Sequence, residues 1–190
     1  MTPPVLLLHG IWNARAWVGP LAWRLRARGF QVHAFGYSSV FGGPDVAVPQ
    51  LLERLADAGP LSLVGHSLGG VLTLQMAVKD PDALGPLVIV DSLPFYAGMQ
   101  NPQATAQSVQ PMAEQMRTAM LAADPASYQA QAEAALAPLT NSTARLPELK
   151  RWGHDSDRAT TADAMHSLLV TGLRSEVSGI RAPTLVLGSL

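Results

Sequence analysis

The chain of 190 residues contains no cysteine. Disulfide frameworks, thiolate nucleophiles and cysteine-ligated zinc or iron–sulfur sites are therefore excluded, and the compartment stays open. Charge is scarce: 14% of the residues are charged and 48% are hydrophobic, where a typical soluble domain carries roughly 25% charge. That balance excludes a disordered, highly charged tail. A net charge of −1 provides no basic field, so no nucleic-acid partner is expected. Long hydrophobic runs are missing too. Val5 to Leu8 is strand-sized, far short of the ~18 residues that span a membrane. Met1-Thr2-Pro3-Pro4 has neither the basic start nor the cleavage site of a signal peptide. The expectation is a soluble chain without an export signal, with the cytoplasm favoured. H-E-x-x-H, P-loop and G-x-G-x-x-G patterns are absent, so neither metal nor cofactor is expected.

What the sequence does have is a series of short apolar runs: Val5–His9, Gln31–Phe35, Leu61–Gly65, Leu87–Asp91 and Thr184–Gly188. Continuous runs of this length fit strands buried on both faces of a parallel sheet. Helical patterns lie between them. Pro20–Arg28 has Pro in its first turn and Gly29 as its stop; Asp45–Ala58 has Pro49 near its start and Gly59 after it; Leu68–Lys79 is apolar on most faces. Alternating strands and helices predict a parallel α/β sheet. The alternation stops at Pro94, and about ninety residues pass before the last run, too many for a connecting loop. This stretch, Ala- and Gln-rich over Gln103–Leu139, has helical spacing. It reads as an inserted helical cap, 94–182, within a core made of 1–93 and 183–190. Met112, Met116 and Met120 recur every four residues, as the buried face of a helix does; the alternative is a flexible apolar wall for an acyl chain. Arg24, Arg26 and Arg28 read as a solvated face.

Gly65-His66-Ser67-Leu68-Gly69 matches G-x-S-x-G, with a predicted strand before it and a predicted helix after it. That is the context in which the motif makes a sharp turn exposing a nucleophilic serine. Glycines two residues to either side let the strand and helix cross closely, and the helix start presents free N–H groups to whatever the serine attacks. A second element, His9-Gly10-Ile11-Trp12, ends the first strand.

With these two elements the chain resembles the α/β-hydrolase superfamily, in its serine esterase and lipase branch. The resemblance covers most of the chain and is most specific over Val5–Gly10 and Ser62–Gly70. It implies an α/β-hydrolase core with a parallel sheet and an inserted helical cap, C-terminally incomplete. It also implies an oxyanion hole made by the backbone N–H groups of Ile11 and Leu68, each worth ~3 kcal/mol, with Gly10, Gly65 and Gly69 shaping the turns. A serine at the elbow, rather than an aspartate, makes dehalogenase or epoxide hydrolase chemistry an unfavoured reading.

A serine nucleophile needs a histidine base and an orienting carboxylate. Asp91, ending an apolar strand on the rim expected for Ser67, is the candidate acid; the alternative is that it only caps the strand. Of the five histidines, His9 and His66 belong to the turn and the elbow, His33 to a strand, and His154 and His166 to the cap. None matches the position of the family's base, and adjacent His154 and Asp155 are expected to point apart. Trp12, His66, Phe95 and Tyr96 are candidate pocket lining, with Trp17 and Met99 nearby. The expected function is a serine hydrolase, a carboxylesterase cleaving small-molecule esters through an acyl-enzyme on Ser67. It is expected to be inactive as this chain alone, until a C-terminal segment or another chain completes the triad. Thioesterase, peptidase or acyltransferase chemistry on the same scaffold, or a non-catalytic binding module, are the alternatives.

Overall fold

Five strands form one sheet, ordered β2-β1-β3-β4-β5, and every pairing is parallel. They are β1 (Val5–Leu8), β2 (Val32–Phe35), β3 (Leu61–His66), β4 (Leu84–Val90) and β5 (Thr184–Leu187). The computed structural model describes residues 3–10, 15–35, 48–53 and 61–188. The predicted strands are all present, with shifted ends. β4 starts earlier than expected because Gly85 and Pro86, which look like breakers, sit where the pairing with β3 changes register. A proline is tolerated in a strand at such an irregularity. Asp91 lies just outside the strand.

The period-two alternation of the strands sorts the core into two layers. Leu6, Leu8, Leu63 and Leu87 pack with Val48 and Leu51 of the helical residues 48–53 and with helix α2 (Leu68–Lys79), whose Leu68, Leu72 and Met76 are buried. Val5, Leu7 and Val32 face the other way, onto Ala22 of α1 (Gly19–Arg26). Gly29, at φ 86°, follows α1 and turns the chain into β2. Arg26 is not merely solvated: its Nη2 donates to the Val32 carbonyl at 2.6 Å. The expected helix Asp45–Ala58 is described only over 48–53, where it is helical; its remainder lies outside the described residues.

Between β4 and β5 the chain forms α3 (Ala97–Gln100), α4 (Ala106–Ala122), α5 (Pro125–Leu136), α6 (Leu146–Asp155) and α7 (Arg158–Val170). The starts of α4, α5 and α7 are set by side chains that take up the free N–H groups of a first turn: Thr105 with Ser108, Asp124, and Asp157. α4 packs along α7, and Arg117 of α4 holds Asp163 of α7 at 2.6 Å. α5 packs on α6, with Lys150 and Glu133 paired at 2.6 Å. Ala164 and Leu168 of α7 join the main core and so tie this region to the sheet. α4 buries Val109 and Ala113 rather than a methionine stripe, and Met112 is 52% exposed. Val109 packs with Phe95 and Ala104. β5 closes the sheet on one side with every residue exposed, Leu185, Val186 and Leu187 included. No helix among the described residues is long and apolar enough to cross a membrane.

Candidate functional site

The strand order places a reversal between β1 and β3: the chain leaves β1 towards β2 and leaves β3 towards β4 and β5. In open parallel sheets, ligands bind in the crevice beyond the C-terminal ends of the strands at such a reversal. His9 and Gly10 follow β1 at this crevice, and Ser67 follows β3. Both sequence motifs therefore meet at one place.

Ser67 occupies the single-residue turn from β3 into α2, at φ 53° and ψ −121°. A side chain there costs of order 1–3 kcal/mol and persists only where the surroundings hold it. The surroundings are tight. The Ser67 N–H donates to the Val90 carbonyl at 2.9 Å, and the Ser67 carbonyl accepts from Gly70 N–H at 2.8 Å. A Cβ on Gly69 would lie 2.5 Å from the Leu8 carbonyl oxygen and 2.7 Å from that of His9. A Cβ on Gly65 would meet the Thr73 hydroxyl at 2.5 Å. That hydroxyl is itself donated to the Gly69 carbonyl at 2.8 Å. Leu68 opens α2, so its N–H has no acceptor within the helix.

His9 is buried and its Nδ1 lies 2.9 Å from the Gly10 carbonyl oxygen. That nitrogen therefore carries the proton and donates it. Burial holds the imidazole below its ordinary value, and the Gly10 bond offsets part of this. His9 is thus a neutral anchor of the turn. His66 stacks against Trp17, with ring centroids 4.7 Å apart. Burial likewise lowers its pKa, against a partial opposing pull from the Asp91 carboxylate, and its buried Nδ1 has no hydrogen-bond partner among the described residues.

Asp91 has a left-handed backbone, φ 48°. Its N–H donates to the Leu187 carbonyl at 2.8 Å, while its own carbonyl accepts the Tyr96 hydroxyl at 2.9 Å. Its exposed side chain acts electrostatically on both His66 and Tyr96. Burial pushes the Tyr96 phenol up. The Ser92 hydroxyl pulls it back, the Asp91 charge pushes it further, and the Ser67 hydroxyl pulls it back in turn. Ser92 Oγ is buried and, among the described residues, reaches no partner at hydrogen-bonding geometry. Phe95 is buried under the Arg174 guanidinium, 4.8 Å from its ring centre.

The structure therefore brings Ser67, His66, Asp91 and Tyr96 together, with Gly65, Gly69 and Leu68 framing the serine and Gly10 following β1 at the same crevice. Ile11 and Trp12 lie outside the described residues. Among the described residues no histidine ring is hydrogen-bonded to the Ser67 hydroxyl. His166 faces Glu114 at 3.6 Å and Gln110 at 3.4 Å. His154 and Asp155 do not point apart: Nδ1 and Oδ1 are 3.7 Å apart, on an exposed surface. A cavity of about 250 Å³ between α5 and α6 includes His154 but not Ser67. Linear spacing gave no sign of two features of the site. Gly70 leaves room for Ser92, whose Cβ would lie 2.5 Å from a Cβ at that glycine. Tyr96, expected only as lining, donates its hydroxyl to the Asp91 backbone carbonyl.

The alpha/beta hydrolase family model matches residues 5–189. A pimeloyl-[acyl-carrier protein] methyl ester esterase of Aeromonas hydrophila is 36% identical over 101 residues, covering 50% of this chain and 39% of that protein. This chain thus spans about two fifths of the length of that curated relative. Among solved structures, a hydrolase from Pseudomonas aeruginosa superimposes with a TM-score of 0.77 at 19% identity, covering 99% of this chain and 72% of the other. An enol-lactonase from Burkholderia xenovorans gives 0.74 at 14% identity, covering 99% and 73%. These two likenesses speak for the fold alone.

Proposed function

Because the chain belongs to the alpha/beta hydrolase family, we propose that it is a serine hydrolase, a carboxylesterase in which Ser67 attacks the carbonyl of a small-molecule ester. The observation that carries this reading is the left-handed Ser67 at the end of β3, pinned between β1 and α2 where the strand order reverses. Strain at a tightly packed site of this kind serves to present a side chain.

In the proposed reaction the serine oxygen bonds to the ester carbon, and its proton passes to a base. The carbonyl oxygen becomes an oxyanion. It is held by the free N–H of Leu68 at the helix start and by that of Ile11, each worth ~3 kcal/mol in the transition state. The tetrahedral species collapses, the alcohol leaves with the proton, and water then cleaves the acyl-enzyme by the same steps. Asp91 orients the base. The base itself is assigned to a segment or chain that completes the triad, since no histidine is bonded to Ser67 among the described residues. On this reading the 190-residue chain by itself turns over little substrate. Residues 94–182 act as a cap that selects the substrate. The named activity of the Aeromonas relative, a methyl ester esterase, supports an ester over an amide or a thioester. A panel of p-nitrophenyl esters, thioesters and anilides on the full-length protein tests this. Ester turnover that disappears in Ser67→Ala is expected; turnover of anilides alone would overturn the substrate class.

A further inference from the structure

We propose that the cavity between α5 and α6 is a second binding site, which takes a short-chain aliphatic carboxylate. Ser67 is not part of its lining. The inference goes beyond the serine reading and does not depend on it, although a carboxylate is also what ester hydrolysis releases.

The cavity measures about 250 Å³, the room of roughly eight liquid waters at ~30 Å³ each. An acid of about six carbons has that size. One end of the cavity is apolar. α5 and α6 meet tightly at Gly153, where an added Cβ would lie 2.9 Å from Leu136 Cδ1, and both residues line the cavity. Tyr128 and Ala132 line it too. With Leu136 they recur every four residues along α5, so they share one face of that helix. An alkyl chain suits such a stripe, and a few polar groups then fix its headgroup.

Those polar groups favour an anion. Two permanent cations, Lys150 and Arg158, line the cavity against one carboxylate, Glu133. Lys150 Nζ donates to Glu133 at 2.6 Å, which takes one of the three N–H groups of an ammonium. The pair is partly solvated, with side chains 39% and 35% exposed, so it is weak enough to share Lys150 with an incoming carboxylate. Arg158 is held in place: its guanidinium lies 4.5 Å from the Tyr128 ring centre, and Nη1 donates to the Ala123 carbonyl at 2.6 Å. A guanidinium carries five donors in a rigid fork that matches a carboxylate, and this bond uses one of them.

The test titrates the full-length protein with hexanoate, hexan-1-ol and hexylammonium while amide chemical shifts are followed. Hexanoate should bind roughly tenfold or more tightly than hexanol, the usual effect of a hydrogen bond to a charged group. Hexylammonium should bind more weakly than either. The shifts should centre on Tyr128 and Gly153. Ala132→Trp should fill the cavity and abolish binding of hexanoate and hexanol alike. Lys150→Met changes a partly exposed side chain and keeps the test open if the tryptophan variant does not fold; it should weaken hexanoate by roughly tenfold and leave hexanol unchanged. No binding, equal affinity for the three probes, shifts centred on the Ser67 turn, or hexanoate binding that survives both substitutions would each overturn the inference. None of these results bears on whether Ser67 is the nucleophile.

Discussion

Replacing Gly69 by alanine tests the packing that makes the elbow. The new Cβ would lie 2.5 Å from the Leu8 carbonyl oxygen and 2.7 Å from that of His9. Ordinary contact needs about 3.4 Å or more, and both neighbours are backbone atoms at the end of a buried strand, so neither can swing aside. Relief requires α2 to back away from β1 by about 1 Å. That opens gaps beneath Leu68 and Leu72, both of which lie in the main core. A gap of this size forfeits a quarter to a half of the dispersion energy of the contacts involved, and overpacking in cores costs about 1–3 kcal/mol, occasionally more. We expect Gly69→Ala to lose ~3 kcal/mol, a fall of roughly 6–12 °C in melting temperature for a domain of this size. Urea unfolding followed by circular dichroism measures it. Gly179→Ala is the control: a Cβ there meets nothing within 4 Å, and stability should change by less than about 0.5 kcal/mol. If Gly69→Ala matched the control, the close crossing of β1 and α2 would be wrong, and with it the reason for the backbone of Ser67.

Gly70→Ala should also destabilise, by about 1–3 kcal/mol, because its Cβ would lie 2.5 Å from the Ser92 Cβ. Adding Ser92→Gly should recover part of the loss, and strict additivity of the two changes in a denaturation cycle would count against the contact. Acid should weaken the fold. His9 and His66 are held below the ordinary value of 6.5, so the unfolded chain binds more protons in the interval below it. Stability is then full above 6.5, falls as pH drops from there through the folded values, and levels off beneath them. Melting temperature against pH should show this slope, and His66→Gln should flatten it; a melting temperature that rises towards acid would contradict the sign.

The parts of the fold that were legible in the sequence are those set by neighbours along the chain. Apolar runs gave the strands, Gly29 gave the stop of α1, and the glycines around Ser67 gave the elbow, since each acts through its own backbone. The start of β4 was not legible, because Gly85 and Pro86 look like an end of structure and become an irregularity only when β3 lies alongside. The methionine stripe misled for a similar reason. Which face of α4 is buried is decided by the segments packed on it, and Val109 lies in a cluster with Phe95 and Ala104 from the chain before the helix. At the site, Ser67 could be read from its motif. The contact of Tyr96 with the Asp91 carbonyl and the fit of Ser92 against Gly70 depend on how the segment after β4 turns over the elbow, which no spacing encodes.

In the proposed reaction Ser67 is the nucleophile. The most direct measurement is to treat the full-length protein with a fluorophosphonate and locate the adduct by peptide mass spectrometry. One adduct is expected, on Ser67, and it is lost in Ser67→Ala while the variant stays folded. An adduct on another residue, or labelling that survives Ser67→Ala, would contradict it.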